Sequence, residues 1–300
     1  MPFVQQSINY AVQYGKELAN AYPYLSYFGE IWAGENSTKY KPINANSIMI
    51  PSMEVSGARA VNRDTLTGQF TRNFNLTWEP KVMTMYREWD TILDEMDIVE
   101  TNEVATIANI TKTFNQFQKI PEMDAYMASK LGAFATAAST ADSTALTAAN
   151  ILDKWDDYLA AMTDARVNRD RVICYMTPAT YKLLKQAAGI TRFIEVTNGI
   201  QAVDRNVAKL DGVRVKEVPT DLMKSAYSFT NGWEATEAAK QINLLMVDPL
   251  AVIAPVVYEV SMISAPSAAT KGKNVYYESY YYDVFNLLKR TAGVRANISA

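Results

Sequence analysis

The chain has no histidine and a single cysteine, Cys174, in 300 residues. Histidine is the usual general base and metal ligand near neutral pH, so its absence weighs against many enzymes and metal centres. One cysteine excludes a disulfide framework and fits a reducing compartment. Glycine is sparse, with 12 residues. No two are spaced G-x-G, so the dinucleotide fingerprint is missing. Gly29 and Gly34 have phosphate-loop spacing, but Glu35-Asn36 follow where that motif needs Lys and Ser/Thr. A glutamate there would repel phosphate. G-x-S-x-G does not occur. An excess of positive charge is also absent. Net charge is −3 and the pI is about 5.3, unlike the basic balance of a dedicated nucleic-acid binder.

Uninterrupted apolar runs are missing as well. The longest, Ile242 to Val260, contains Asp248, Pro249, Pro255 and Glu259. A bilayer span needs about 20 apolar residues, so we read strand–turn–strand. The first residues show no charged segment followed by an apolar one, and no signal peptide is expected. Hydrophobic residues are nonetheless 49% of the chain, enough to form a real core in one large domain or two ordinary ones.

What is present is ordered along the chain. Residues 1–34 are aromatic and weakly patterned, with a short helix predicted around Ile8–Ala21. Ile48, Ile50, Met53 and Val55 suggest a strand with a bulge. Phe70, Phe74, Leu76 and Trp78 recur at period two, the signature of a second strand. Together they predict a long two-stranded ribbon, which is marginal alone and needs a surface from elsewhere. Residues 88–103 include seven acids and no base. They lack calcium-hand spacing, and the plain reading is a solvated or partner-facing acidic edge. A glycosidase-type carboxylate pair among Glu88, Asp90, Asp94 and Glu95 is the enzymatic alternative. Two helices are predicted next, Val104–Phe117, stopped by Pro121, and Pro121–Ala138. Thr136–Thr147 reads as a surface loop. Helices then alternate with short apolar strands through "RVICYMT", "PATYKLLKQA", "DGVRVKEVP" and "INLLMVDP", which argues for a compact α/β unit. Cys174, inside such a strand, reads as a small core residue.

Near the end, Asn274–Tyr282 holds five tyrosines, Tyr276, Tyr277, Tyr280, Tyr281 and Tyr282. Both parities of Val275–Leu288 are largely apolar or aromatic, which predicts a strand buried on much of both faces and longer than usual. The comparable long segment is Phe70–Tyr86, and the two are expected to pair.

The order of arm, ribbon, long strand, helix, α/β unit and returning strand resembles the major capsid protein of tailed bacteriophages, the Hong Kong 97-like fold. The residues that carry the resemblance are "IPEMDAYMASKLGAFA" (120–135), similar to that family's spine helix, and "RVICYMTPATYKLL" (171–184), similar to its axial strand–Pro–helix. "DGVRVKEVP" and "DVFNLLKRTAGVRAN" add to it. The resemblance implies an α+β fold. Its parts would be an N-terminal arm (1–43), an extended loop (44–78), a peripheral domain (79–144 and 259–300) and an axial domain (145–258). It implies no enzyme and no cofactor or metal. The implied function is a subunit that self-assembles, through hexamers and pentamers, into an icosahedral shell around double-stranded DNA. The DNA would be contacted non-specifically and no membrane would be involved. The shell would be part of the virion and assemble in the host cytoplasm. With no room for the long scaffolding segment of some relatives, a separate scaffolding protein and a portal are expected partners. An encapsulin-type compartment enclosing cargo enzymes is the alternative on the same fold.

Charge suggests one contact. Arg59 and Arg63 sit at the ribbon tip, and Asp94 and Glu95 in the acidic segment that follows. The expectation is that the tip of one subunit meets the acidic edge of the next.

Overall fold

The computed structural model describes residues 26–34, 41–44, 46–58, 72–94, 96, 107–187, 193–197, 200–204, 207–268 and 270–300. The predicted helix at 8–21 lies outside them. The elements begin with a one-turn helix α1 (Gly29–Trp32) and strands β1 (Lys41–Asn44), β2 (Ser47–Val55), β3 (Phe74–Val82) and β4 (Met85–Leu93). A helical rod follows, α2 (Ile107–Phe114), a π turn (Asn115–Lys119) and α3 (Ile120–Ala137). Next come β5 (Ala141–Asp142), α4 (Ile151–Asp164), β6 (Ile173–Met176) and α5 (Pro178–Gln186). Short strands β7 (Phe193–Thr197), β8 (Ile200–Asp204), β9 (Lys209–Leu210), β10 (Val213–Glu217), β11 (Tyr227–Ser228) and β12 (Glu234–Ala235) lead to β13 (Ile242–Val247). The chain ends with β14 (Val252–Ile253), β15 (Val256–Ser264), β16 (Asn274–Tyr282), β17 (Phe285–Asn286) and β18 (Val294–Ile298).

The centre is a mixed six-stranded sheet in the order β5-β18-β13-β6-β10-β9. Strands β6 and β13 are apolar on both parities because both faces are covered. Ile173, Tyr175, Leu245 and Val247 face the core shared with α3. Cys174, Met176, Leu244 and Met246 face the core shared with α4 and α5. Helix α4 buries Ile151, Trp155, Tyr158, Leu159 and Met162, a stripe at helical spacing. Helix α5 starts where its sequence says it should. Thr177 is the N-cap, its hydroxyl accepts from the Thr180 amide, and Pro178 opens the first turn. Cys174 is fully buried, and burial pushes its thiol up, as expected of a core residue.

The sheet is shared across the expected domain ranges. Strand β18 lies between β5 and β13, so Val294–Ile298 and Ala141–Asp142 complete the sheet of the 145–258 segment. Part of the predicted 136–147 loop is therefore a sheet edge. The return of β18 demands close approach at Gly293, where a Cβ would lie 2.6 Å from Ala251 Cβ.

Three local expectations change. Pro121 does not stop a helix. The rod runs from Ile107 to Ala137 with the π turn placed immediately before α3. Proline lacks an N–H and crowds the carbonyl four residues back; the wider turn Asn115–Lys119 accommodates both, and Pro121 sits in the first turn of α3. Strand β2 pairs with β3 in unbroken register from Ser47↔Val82 to Val55↔Phe74, without the predicted bulge. The tyrosine strand β16 pairs with β4, from Asn274↔Leu93 to Tyr282↔Met85, and not with the ribbon strand β3. The acidic run thus begins inside a strand. Glu88 and Asp90 occupy the open face of β4, while Arg87, Trp89 and Thr91 on the other parity turn toward the helical rod.

Candidate assembly surfaces

The ribbon has a packed root and an uncovered outer half. At the root, Ile48 and Ile50 are buried with Met83 and Ile253, against Val257, Tyr281, Phe285 and Leu287. Further out, that parity turns polar, with Ser52 and Glu54 opposite Thr77 and Asn75. The other parity stays apolar. It pairs Pro51 with Trp78, Met53 with Leu76 and Val55 with Phe74. These side chains are open to solvent: Trp78 is 45% exposed, Phe74 50% and Val55 70%. A contiguous apolar stripe of this kind on a two-stranded ribbon marks a contact surface, and it is the face for which the sequence required a cover. Arg72 extends the stripe, its guanidinium 4.5 Å above the Phe74 ring. Among the described residues, Lys289 of the body reaches the outer ribbon. Lys289 Nζ lies 2.8 Å from Glu54 Oε1 and donates to the Met53 carbonyl at 3.4 Å. Its hydrogen bond and charge lower the Glu54 carboxyl below its ordinary range.

Beneath the three-stranded sheet β15-β16-β4, the helical rod is fixed by a row of polar contacts. Lys119 pairs with Glu278, which also accepts from Tyr276 Oη at 2.9 Å. Arg87 binds Glu122 through two contacts of 2.7 Å and donates to the Phe229 carbonyl at 2.6 Å. Tyr282 Oη donates to the same Glu122 at 2.8 Å. Asp283 accepts from Tyr126 Oη at 2.7 Å and from the Thr84 amide at 2.8 Å. Burial raises the Glu122 carboxyl, offset in part by Arg87 and Tyr282. It also pushes the Tyr126 and Tyr282 hydroxyls far up, which keeps them as neutral donors. This accounts for the tyrosines. Their rings pack like a core, and their hydroxyls satisfy carboxylates that phenylalanine would strand. The sequence showed the aromatic run but not the acceptor of Tyr282, Glu122, which lies on a helix 160 residues earlier.

Of the predicted contact residues, Asp94 is described and Arg59, Arg63 and Glu95 lie outside the described residues. Asp94 Oδ2 sits 3.7 Å from Lys273 Nζ, and its Oδ1 accepts from the Met96 amide at 3.1 Å. Glu88 and Asp90 stand exposed one pleat apart. Among the described residues, no group of three acidic or cysteine side chains is placed to hold a metal ion, and no helix is long and apolar enough to cross a membrane.

The sequence matches no protein-family model and no curated protein. Solved structures do match along almost the whole chain. The capsid of cyanophage P-SCSP1u superimposes with a TM-score of 0.69 at 12% identity, covering 97% of this chain and 93% of that one. The mature capsid of bacteriophage PhiM1 gives 0.65 at 12% identity, with 98% and 92% covered. The capsid of Ralstonia phage GP4 gives 0.58 at 12% identity, with 96% and 94% covered.

The chain has the Hong Kong 97-like fold of phage capsid proteins. Sequence identity near 12% is too low for any alignment of single residues to carry weight, so the fold was legible here only through the pattern of elements.

Proposed function

We propose that the chain is the major capsid protein of a tailed phage, assembling with copies of itself into an icosahedral shell that encloses double-stranded DNA. One observation carries the reading beyond the fold. A single subunit leaves the apolar stripe of the β2–β3 ribbon uncovered, and a neighbouring subunit is the surface that a repeating shell supplies to every copy. The unit formed by 145–258 would cluster at the shell's five-fold and six-fold centres. Residues 1–43 would be the arm, 44–78 the extended loop, and 79–144 with 259–300 the peripheral domain. A net charge of −3 suits a wall that contains DNA without binding it tightly. A separate scaffolding protein and a portal would complete assembly in the host cytoplasm, and the product would be the virion shell.

The test is assembly. Expressed full-length protein, alone or with its scaffold, should sediment as closed particles visible by negative stain. Replacing Ser47–Asn75 with a short Gly/Ser linker should leave folded subunits and no particles. Normal particles from that variant would overturn the role given to the ribbon. Particles that form in infected cells around enzymes instead of DNA would overturn the genome-container reading.

A further inference from the structure

The segment Ser26–Gly34 packs on the body as a clasp. It touches four elements at once. Phe28 is buried against Tyr175 of β6, ring centroids 4.4 Å apart. Trp32 meets Tyr282 of β16 edge-on at 5.8 Å. Glu30 pairs with Lys216 at 2.6 Å and Arg214 at 2.7 Å, both on β10. The fourth attachment differs in kind. Asp124 of α3 is 1% exposed. It takes the Tyr27 amide on Oδ2 at 2.7 Å and the Ser26 hydroxyl on Oδ1 at 3.2 Å, and the Phe28 amide also bonds to it.

We propose that Asp124 is a proton-operated latch on this clasp: docking of Ser26–Gly34 favours the neutral carboxyl, so the clasp tightens toward acid pH and loosens toward alkaline pH.

Geometry supports this in two ways. First, no lysine or arginine among the described residues forms an ion pair with Asp124, so no counter-charge offsets the desolvation of a negative charge there, and only the three hydrogen bonds oppose it. Second, the contacts hold in either protonation state. A neutral Asp124 keeps one oxygen as acceptor for the backbone amides and turns its own O–H toward Ser26 Oγ, because a serine hydroxyl both donates and accepts. The other groups that face the carboxyl do not supply the missing charge. Tyr175 of β6 has a buried hydroxyl with no hydrogen-bond partner among the described residues and is held neutral by burial. Glu30 on the clasp is itself anionic. Burial works to raise its carboxyl, but Lys216 and Arg214 outweigh that and lower it. These two cations are thus committed to Glu30. Cys174, next to Tyr175, is kept as a thiol by burial. On α3 itself, Glu122 is taken by Arg87, and Tyr126 donates to Asp283.

The sign follows from linkage. Burial pushes the docked Asp124 carboxyl up to about 7, against the hydrogen bonds from Tyr27, Ser26 and Phe28, from 3.8 when free. A docked state that binds the proton more tightly is stabilised as pH falls below the docked value and gains nothing further below the free one. Glu30 works the other way, but its lowered carboxyl titrates below the Asp124 window. Between pH 6.0 and 8.5, both above the pI, the clasp should therefore open about tenfold more readily at the higher pH.

Hydrogen exchange of the full-length chain reads this directly. After correction for intrinsic rates, amides of residues 27–32 should show an opening equilibrium about tenfold larger at pH 8.5 than at 6.0, while those of α4, remote from the clasp, change little. Asp124→Asn keeps the shape and removes the proton, so its clasp should open equally at both pH values. A wild-type clasp whose pH dependence parallels that of α4, or an Asp124→Asn clasp that keeps the tenfold change, overturns the latch. If the variant does not fold, the comparison of clasp with α4 in the wild type decides alone.

Discussion

Arg87 on strand β4 and Glu122 on helix α3 lock together through two 2.7 Å contacts, at a point where Glu122 is 5% exposed. The pair joins elements 35 residues apart in sequence and fixes the helix across the long sheet. Removing one partner from a buried pair leaves a charge without compensation and costs about 3–5 kcal/mol. Arg87→Met should therefore lower stability by roughly 3 kcal/mol, seen as a shift in the urea midpoint at unchanged slope. Replacing both residues, Arg87→Met with Glu122→Gln, should recover most of it. A single variant as stable as wild type would mean that Tyr282 alone satisfies Glu122.

The two close glycine contacts should behave differently. At Gly293 a Cβ would meet Ala251 Cβ at 2.6 Å, and neither atom can rotate away. Gly293→Ala should cost about 1–3 kcal/mol, the usual scale of overpacking. At Gly132 a Cβ would meet Ile242 Cδ1 at 2.8 Å, the end of a flexible side chain. Alanine also gains about 1 kcal/mol over glycine inside a helix, so Gly132→Ala should be near neutral. Denaturation curves that rank the two in the opposite order would refute this reading of the sheet's return.

Ribbon substitutions should separate folding from assembly. Trp78→Ser and Phe74→Ser alter exposed positions, where stability changes stay within about 0.5 kcal/mol. Subunits should fold normally and fail to form shells. Ile48→Ala, at the buried root, should instead cost about 2–5 kcal/mol. Melting temperature and sedimentation measured on the same samples distinguish the cases. Shells from Trp78→Ser with Phe74→Ser at wild-type yield would show that the stripe has no covering partner.

The contact between ribbon tip and acidic edge is tested by charge reversal. Arg59→Glu with Arg63→Glu should give folded subunits that assemble poorly, and adding Asp94→Lys with Glu95→Lys should restore part of the yield. Each exposed pair contributes only about 0.2–1 kcal/mol, but every subunit repeats it. Screening shortens from roughly 8 Å at physiological salt to 3 Å at 1 M, so wild-type yield should fall with salt. Asp94 already lies near Lys273 of its own chain, so Lys273→Ala should strengthen the contact with the arginines. Undiminished yield from the double-glutamate variant would leave Asp94 and Glu95 as a solvated face.

What the sequence determined by itself is local. Thr177-Pro178 sets the start of α5, because a cap and a first-turn proline act within four residues. Trp155, Leu159 and Met162 mark the buried stripe of α4 by spacing alone. The alternation at Phe74, Leu76 and Trp78 identifies a strand with one apolar face, and the lack of a core under it already called for a partner surface. Tertiary structure decided what depends on distant partners. Tyr276–Tyr282 could have matched either long strand by length and hydrophobicity; β4 won because its Arg87 and Trp89 face the rod, where Glu122 and Phe114 receive them. Pro121 continues a helix that its own chemistry would end, because a π turn precedes it. Asp124 carries no mark in the sequence that sets it apart, yet it is buried beneath the clasp, with Tyr27 nearly a hundred residues away in sequence as its donor. Short-range signals survive in a single sequence because the atoms involved are neighbours along the chain. Strand partners and buried acids are chosen by the packing of whole faces, and that choice exists only once the chain has folded.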